Sequence, residues 1–499
     1  MKKLTKVLSL ILALIMIATV FMACNKTKDP DDKETNDTVQ NGTNATTATS
    51  EETTTEMVLP DIDWEGAEYR ILGRYHPSMS QFVNFEVWRE TLPDDVVGKA
   101  VWRRNEELKE KYNFVVKGNL SESFVSIAQT MISSGEDLYD LIILPPEKFQ
   151  PHASAGELVD LNKTEYINLN HECWNDVANE SLMMGGKLFY TTNKFLLQDK
   201  HRAWCLFVNR DLVKEFNLGN IEDMVFEGTW TVEKLLEISK VGSVEFDGID
   251  GRTGADRWGL TFSDRYNFIQ LVYGAGFRLC ENGSDGYPTL VGATDYMIGV
   301  LDKVYNIIWD YDAVWVPGIG NAPDSSGAFV FEQGRAVTHG NCVNKLDVVD
   351  LFQFDYGVLP NPKYDEKQEK YYAIPNLGNG CLFAIPMTVM DPSRAGFFLE
   401  AISEASVDTS YTAYIETKCK LQDVIDEKAA KCLDIIFDGI VYDIGFISNI
   451  GGLGDLAAWD LVKSNTNNYG RLFDRYKLNA NFQIQKIRDA YAAIDNPVQ

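Results

Sequence analysis

AEYRILG at residues 67–73, VVGKAVWRRNEELKEKY at 96–112, NFVVK at 113–117, FVSIAQTMI at 124–132 and YDLIIL at 139–144 follow one another as strand, helix, strand, helix and strand. The first tract alternates apolar and polar positions, as a half-buried strand does. In the second, Val97, Val101, Leu108 and Tyr112 recur near helical spacing, and Asp94 or Asp95 stands ready to cap its start. The last is apolar almost throughout. That alternation, ending in a continuously apolar strand, predicts a parallel sheet with helices on its faces.

A second unit of the same kind follows. KLFYTT at 187–192 and AWCLFVN at 203–209 read as strands, 210–216 as a helix, and GTWT at 228–231 leads into VEKLLEISKV with Thr229 or Thr231 as cap. RWGLT at 257–261, YGVLP at 356–360 and LFAI at 382–385 return to strand, and residues 392–405 begin another helix. Two α/β lobes joined by chain crossings account for this succession better than one sheet does.

The chain has 499 residues, 45% hydrophobic, 12% aromatic and 24% charged, with 73 acidic against 46 basic residues and a net charge of −27. That composition excludes whole-chain disorder and a polytopic membrane protein. With no concentrated basic patch to offset the acidic field, it also argues against a nucleic-acid partner.

Residues 1–24, MKKLTKVLSLILALIMIATVFMAC, place Lys2, Lys3 and Lys6 before an apolar run broken only by Ser9 and Thr19. This is the layout of a bacterial export signal over residues 1–23, and FMAC at 21–24 resembles a lipobox in which Cys24 carries lipid, although Phe21 and Met22 depart from the commoner residues. Residues 24–60, rich in Thr, Asn and Asp, cannot form a core and are expected to be a disordered tether. The expected location is the extracellular face of the cell membrane, held there by the lipid anchor. Seven further cysteines, Cys173, Cys205, Cys280, Cys342, Cys381, Cys419 and Cys432, are scattered without a CxxC pair, so buried free thiols are expected rather than a zinc or disulfide framework. The five histidines form no HExxH arrangement, and no metal or other cofactor is expected.

No GxSxG elbow, Walker loop or strand-anchored GxGxxG occurs. Gly451-Gly452-Leu453-Gly454 reads as a turn, and the acidic stretch DGIDGRTGAD at 247–256 fails the calcium-loop pattern and reads as a surface loop. Carboxylates beside aromatic residues, Glu86 near Trp88 and Asp310 and Asp312 near Trp309 and Trp315, leave a sugar hydrolase open, but the plainer reading is a ligand rim that does not react. Trp88, Trp204, Trp230, Trp258, Trp309 and Trp315 fall mostly at strand ends or in adjoining loops, where flat rings can stack on sugar faces.

Several segments in order carry a family resemblance: AVWRRNEELKEKYNFVV at 100–116, YDLIILPP at 139–146, GKLFYTTNKFLLQDKHRAWCLFVNRDLVKEFNL at 186–218, GTWTVEKLLE, RWGLT, FEQGRA at 331–336, YGVLPNPKYDEKQEKYYAIPN at 356–376 and LDIIFDGIVYDIG at 433–445. With the Cys24 lipobox, the chain resembles the extracellular solute-binding lipoproteins of ABC transporters, family 1-like and of the carbohydrate type, in a clostridial branch. The resemblance implies a two-lobed periplasmic-binding-protein-like fold (type II) whose lobes are joined by hinge crossings. Lobe 1 would take 61–193 and 359–403, and lobe 2 would take 194–358 and 404–499, with tail helices packing on either lobe. It implies a non-enzymatic monomer that captures a small-molecule ligand, a carbohydrate or oligosaccharide, for ABC permease subunits. The alternatives are a secreted carbohydrate-active hydrolase and a sensory or adhesion module of the same fold. Carried over by position, the implied ligand-binding residues are Tyr75, Glu86, Trp88, Pro145, Glu147, Thr192, Asn193, Tyr273, Trp315, Asn376 and Asn379.

Overall fold

The computed structural model describes residues 58–249, 251–310, 312–317, 327–376, 381–424, 426–463 and 466–495. The expected signal, Cys24, nearly all of the tether and Asn379 lie outside the described residues. In chain order the strands are β1 (Ala67–Arg74), β2 (Phe114–Ser121), β3 (Leu141–Leu144), β4 (Trp204–Asn209), β5 (Trp258–Phe262), β6 (Cys280–Asn282), β7 (Pro288–Leu290), β8 (Val314–Trp315), β9 (Ala336–Cys342), β10 (Tyr356–Leu359) and β11 (Leu382–Ala384).

Two main sheets form, and they repeat one design. In the first, of order β2-β1-β3-β11, β1 is parallel to both β2 and β3, and β11 is antiparallel to β3. In the second, of order β8-β5-β9-β4-β10, β5 is parallel to both β8 and β9, and β4 is antiparallel to β9. In each, the earliest of the parallel strands lies between the next two, and an antiparallel strand supplied from elsewhere in the chain pairs beside them; in the second sheet β10 then pairs antiparallel to β4 at the edge. β6 and β7 pair as a separate hairpin.

The helix between β1 and β2, Val96–Tyr112, begins where Asp95 accepts the Gly98 N–H at 2.6 Å and ends at Asn113 with φ 51°. Its buried Arg104 donates to the carbonyls of Glu86 and Val87, each at 3.0 Å, and to the Ser406 and Ser410 hydroxyls. One guanidinium thus ties together a helix, the loop after β1 and a later helix. Phe114 stacks on Phe398 at 4.3 Å in the same core. The expected strand at 187–192 is replaced by single bridges, Met184 with Lys187 and Thr191 with Phe383. Leu188, Phe189 and Tyr190 are all buried, so the segment is packed on every side instead of alternating between two faces. The described cysteines are free and buried.

Three segments run side by side where the chain passes between the sheets. Ala203 bridges Pro375, with the Asn376 N–H donating to the Arg202 carbonyl at 2.8 Å. Ala373 in turn exchanges hydrogen bonds with Gly439 and Val441. The terminal helix Tyr469–Asp495 reaches both sides: Tyr469 meets Phe277 at 5.4 Å, and Tyr491 meets Phe189 at 5.0 Å. No helix among the described residues is long and apolar enough to cross a membrane.

Candidate functional site

The crossings floor a cavity of ≈ 430 Å³. Glu147 enters it from the loop after β3, Trp204 from the start of β4, Asp264 and Tyr266 from the loop after β5, and Asn376 from the second crossing. Phe446, Asn449, Asp455 and Trp459 close it from the stretch that follows the third crossing. A second cavity of ≈ 650 Å³ shares Glu147 and Asn449 with the first and extends along the terminal helix past Asn479 and Lys486.

Local hydrogen bonding fixes these loops. The Asn267 side chain accepts the Asp264 N–H at 3.1 Å and the Ser263 hydroxyl at 3.0 Å, while the Asp264 carboxylate accepts the Tyr266 N–H at 2.6 Å. Gln270, one turn on, donates to the Cys205 carbonyl at 2.6 Å and so ties this loop's helix to β4. Burial pushes the Asp264 carboxyl up, against the pull of that N–H and of Arg202 and Arg265. Across the cavity, Gly451 and Gly452 take φ of 60° and 90°, which a side chain would strain. Asn449 closes the turn by accepting the Asp455 N–H at 3.1 Å and donating to its carboxylate at 3.0 Å. The chain leaves this turn in a helical segment that carries Trp459. Its ring meets Tyr266 edge-on at 5.2 Å, with the Arg265 guanidinium 4.3 Å from its face.

The result is a concave surface of indole and phenol rings among carboxylates and amides. Rings cover the apolar faces of a sugar, and carboxylates and amides bind its hydroxyls.

Of the residues expected from sequence, Glu147 and Asn376 line the cavity, and Pro145 is buried at the turn that leads to Glu147. Tyr75 is 44% exposed on the loop after β1, and Trp88 is half-buried against Gly118, where a Cβ would come within 2.8 Å of its own. Neither lines the two cavities. Among the described residues, Tyr273, Trp315, Asn193, Thr192 and Glu86 need correction, because each is buried in a packing role. The Tyr273 hydroxyl donates to Asp443 at 2.9 Å, and Trp315 packs edge-on against Trp258 at 5.0 Å. Asn193 donates to Ser403 at 2.7 Å, and Thr192 is fully buried beside it.

Glu86 is buried among Asn84 and Gln198, each donating at 3.4 Å, and burial pushes its carboxyl up to about 7. A carboxyl raised in the fold stabilises it fully below the unfolded value near 4.5, and that contribution is lost as pH rises through about 7. Glu86→Gln is therefore expected to gain on the order of 2 kcal/mol relative to the parent at pH 8, with little gain at pH 4. Ligand affinity should not change. Urea melts at the two pH values and calorimetric titration check both. Of the other carboxylates raised for a hydrolase, Asp310 is half-buried 3.4 Å from the Lys240 ammonium and Asp312 is exposed near Arg252, beside the second sheet. Neither meets Glu86 in a cleft.

Sequence reading overlooked Asp264, Tyr266, Asn449, Asp455 and Trp459. One signal was present: the glycine turn at 451–454 is followed within five residues by a tryptophan and an aspartate.

A scan against protein-family models finds no match, and a search of curated proteins returns none. Solved structures do resemble the chain. An ABC substrate-binding protein from Listeria monocytogenes in complex with cycloalternan aligns with a TM-score of 0.53 at 14% identity, covering 84% of this chain and 99% of that one. A cyclo/maltodextrin-binding protein complexed with maltotetraose aligns at 0.52 and 14% identity, over 87% and 98%. A maltose/maltodextrin-binding domain from Bdellovibrio bacteriovorus bound to maltotriose aligns at 0.50 and 13%, over 84% and 100%. The fold is the two-lobed periplasmic-binding-protein-like fold (type II), shared with ABC-type solute-binding proteins.

Proposed function

We propose that this protein captures a carbohydrate outside the cell and delivers it to the permease of an ABC transporter, without chemistry of its own. The observation that carries the reading is the cavity at the crossings, where Trp204, Tyr266 and Trp459 stand among Glu147, Asp264, Asp455 and Asn376. Ligands of this kind bind between lobes whose closed arrangement they stabilise. The proteins of like fold hold cycloalternan, maltotriose and maltotetraose, which supports a glucose-built oligosaccharide as the first class to try. The reading includes export under the signal at 1–23, a lipid on Cys24, a tether to residue 60 and a monomeric body whose lobes divide near 193, 358 and 403.

The test is a thermal-shift and calorimetric panel of linear and cyclic oligosaccharides, with oligopeptides alongside. Binding linked to the native state raises the melting temperature as ligand exceeds Kd. A shift with at least one oligosaccharide and none with peptides is expected. Peptide binding without sugar binding overturns the carbohydrate assignment, and cleavage of a bound sugar overturns the non-enzymatic one.

A further inference from the structure

His171, Cys173 and Glu400 bring a ring nitrogen, a thiol sulfur and a carboxylate oxygen within 4.8 Å of one another, away from the residues that line the cleft. They come from two pieces of backbone. His171 and Cys173 lie on a turn in which the His171 N–H donates to the Asn168 carbonyl and the Trp174 N–H to the His171 carbonyl. Glu400 projects from the helix Pro392–Ser406. Its Oε2 accepts the Trp174 indole N–H at 2.9 Å and the Asn168 N–H at 3.4 Å. Its Oε1 is buried with no hydrogen-bond partner, in a side chain whose residue is only 1% exposed. A buried carboxylate oxygen left bare is costly enough that it calls for a partner.

We propose that His171, Cys173 and Glu400 bind a divalent cation of borderline softness, Zn²⁺ by preference, with water at the fourth position. One nitrogen, one sulfur and one oxygen donor is a ligand set that zinc accepts and that calcium or magnesium does not favour. Zinc bonds of about 2.0–2.3 Å hold tetrahedral donors roughly 3.3–3.8 Å apart, a contraction that side-chain rotation supplies from the present spacing. Cys173 is free and fully buried, and Glu400 is held by two hydrogen bonds, so two donors are already fixed. The half-exposed His171 provides the way in. Sequence spacing hides such a site, because the third donor lies more than two hundred residues from the first two and forms no local motif. The cation would clamp the turn to the helix. Trp174 bridges Asn193, and Asn193 bonds Ser403 on that helix, so the clamp also holds the chain just before the first crossing.

The test is titration of chelator-stripped protein with Co²⁺, followed by Zn²⁺. One equivalent of Co²⁺ should bind with thiolate-to-cobalt absorption in the near ultraviolet, and Zn²⁺ should displace it. The band should vanish in Cys173→Ser. His171→Ala, at a half-exposed position, should fold as the parent does and bind Co²⁺ roughly tenfold or more weakly. Zn²⁺ should raise the melting temperature of the parent but not of Glu400→Gln. Absence of the band with excess Co²⁺, or its persistence in Cys173→Ser, overturns the proposal. Neither outcome bears on sugar binding.

Discussion

Replacing Tyr266 and Trp459 together with alanine is expected to weaken oligosaccharide binding roughly 100-fold while leaving the fold intact. Both rings are half-buried in the free protein, so part of each is available to a ligand. If each ring covers about 60 Å² of sugar, burial at about 25 cal/mol per Å² contributes about 1.5 kcal/mol per ring. Two rings then supply about 3 kcal/mol, which is roughly a hundredfold in Kd. The loop should survive the change, because the contact that shapes it uses the backbone N–H of residue 266 and the Asp264 carboxylate, not the phenol. Trp459→Phe should lose only part of the effect, and Tyr266→Phe should isolate the hydroxyl. Calorimetric titration with the best ligand of the panel measures all of these. Unchanged affinity in the double variant would move the ligand out of this cavity and toward the neighbouring one beside the terminal helix.

The elements of the first lobe were legible because local and global demands agree there. The 67–73 tract alternates over 68–71 before turning continuously buried, the 96–112 helix has both its apolar face and its Asp95 cap, and the 141–144 strand is apolar because it is buried on both faces. The tract at 187–192 was not legible. Its residues bond singly, Lys187 back to Met184 within a turn and Thr191 to the distant Phe383, and burial on all sides leaves no period to read. The site divides in the same way. Glu147 and Asn376 follow predictable features, a strand end and a crossing. Tyr273 and Trp315 were reasonable candidates by residue type, but whether an aromatic ring faces a cleft or a core depends on tertiary packing. Trp459 reaches the cavity only because a left-handed turn at 449–452 redirects the chain, and the partner ring, Tyr266, arrives from the opposite side nearly two hundred residues earlier.

Asp443→Ala should produce the largest loss of stability, about 3–5 kcal/mol, and should weaken ligand binding as well. The carboxylate is 1% exposed and gathers five donors. Oδ1 accepts the N–H groups of Cys280, Gly445 and Phe446 at 3.2, 3.0 and 3.4 Å. Oδ2 accepts the Leu279 N–H at 2.6 Å and the Tyr273 hydroxyl at 2.9 Å. Alanine would strand these buried donors without water or a substitute. The consequence reaches the cavity because Asp443 caps the short helix Ile444–Ile447, whose Phe446 and Ile447 line it and lead on to Asn449. Asp443→Asn keeps one acceptor oxygen but turns an amide N–H₂ toward the Leu279 N–H, so its cost should fall between those of the parent and alanine. Denaturant melts order the three proteins, and titration at a temperature where all are folded reads the effect on affinity. If Asp443→Ala melts with the parent, the five hydrogen bonds do not hold this wall. If it melts early yet binds with unchanged affinity, the 444–449 segment finds its place without its anchor, and the wall of the cleft must be set by the Asn449–Asp455 turn alone.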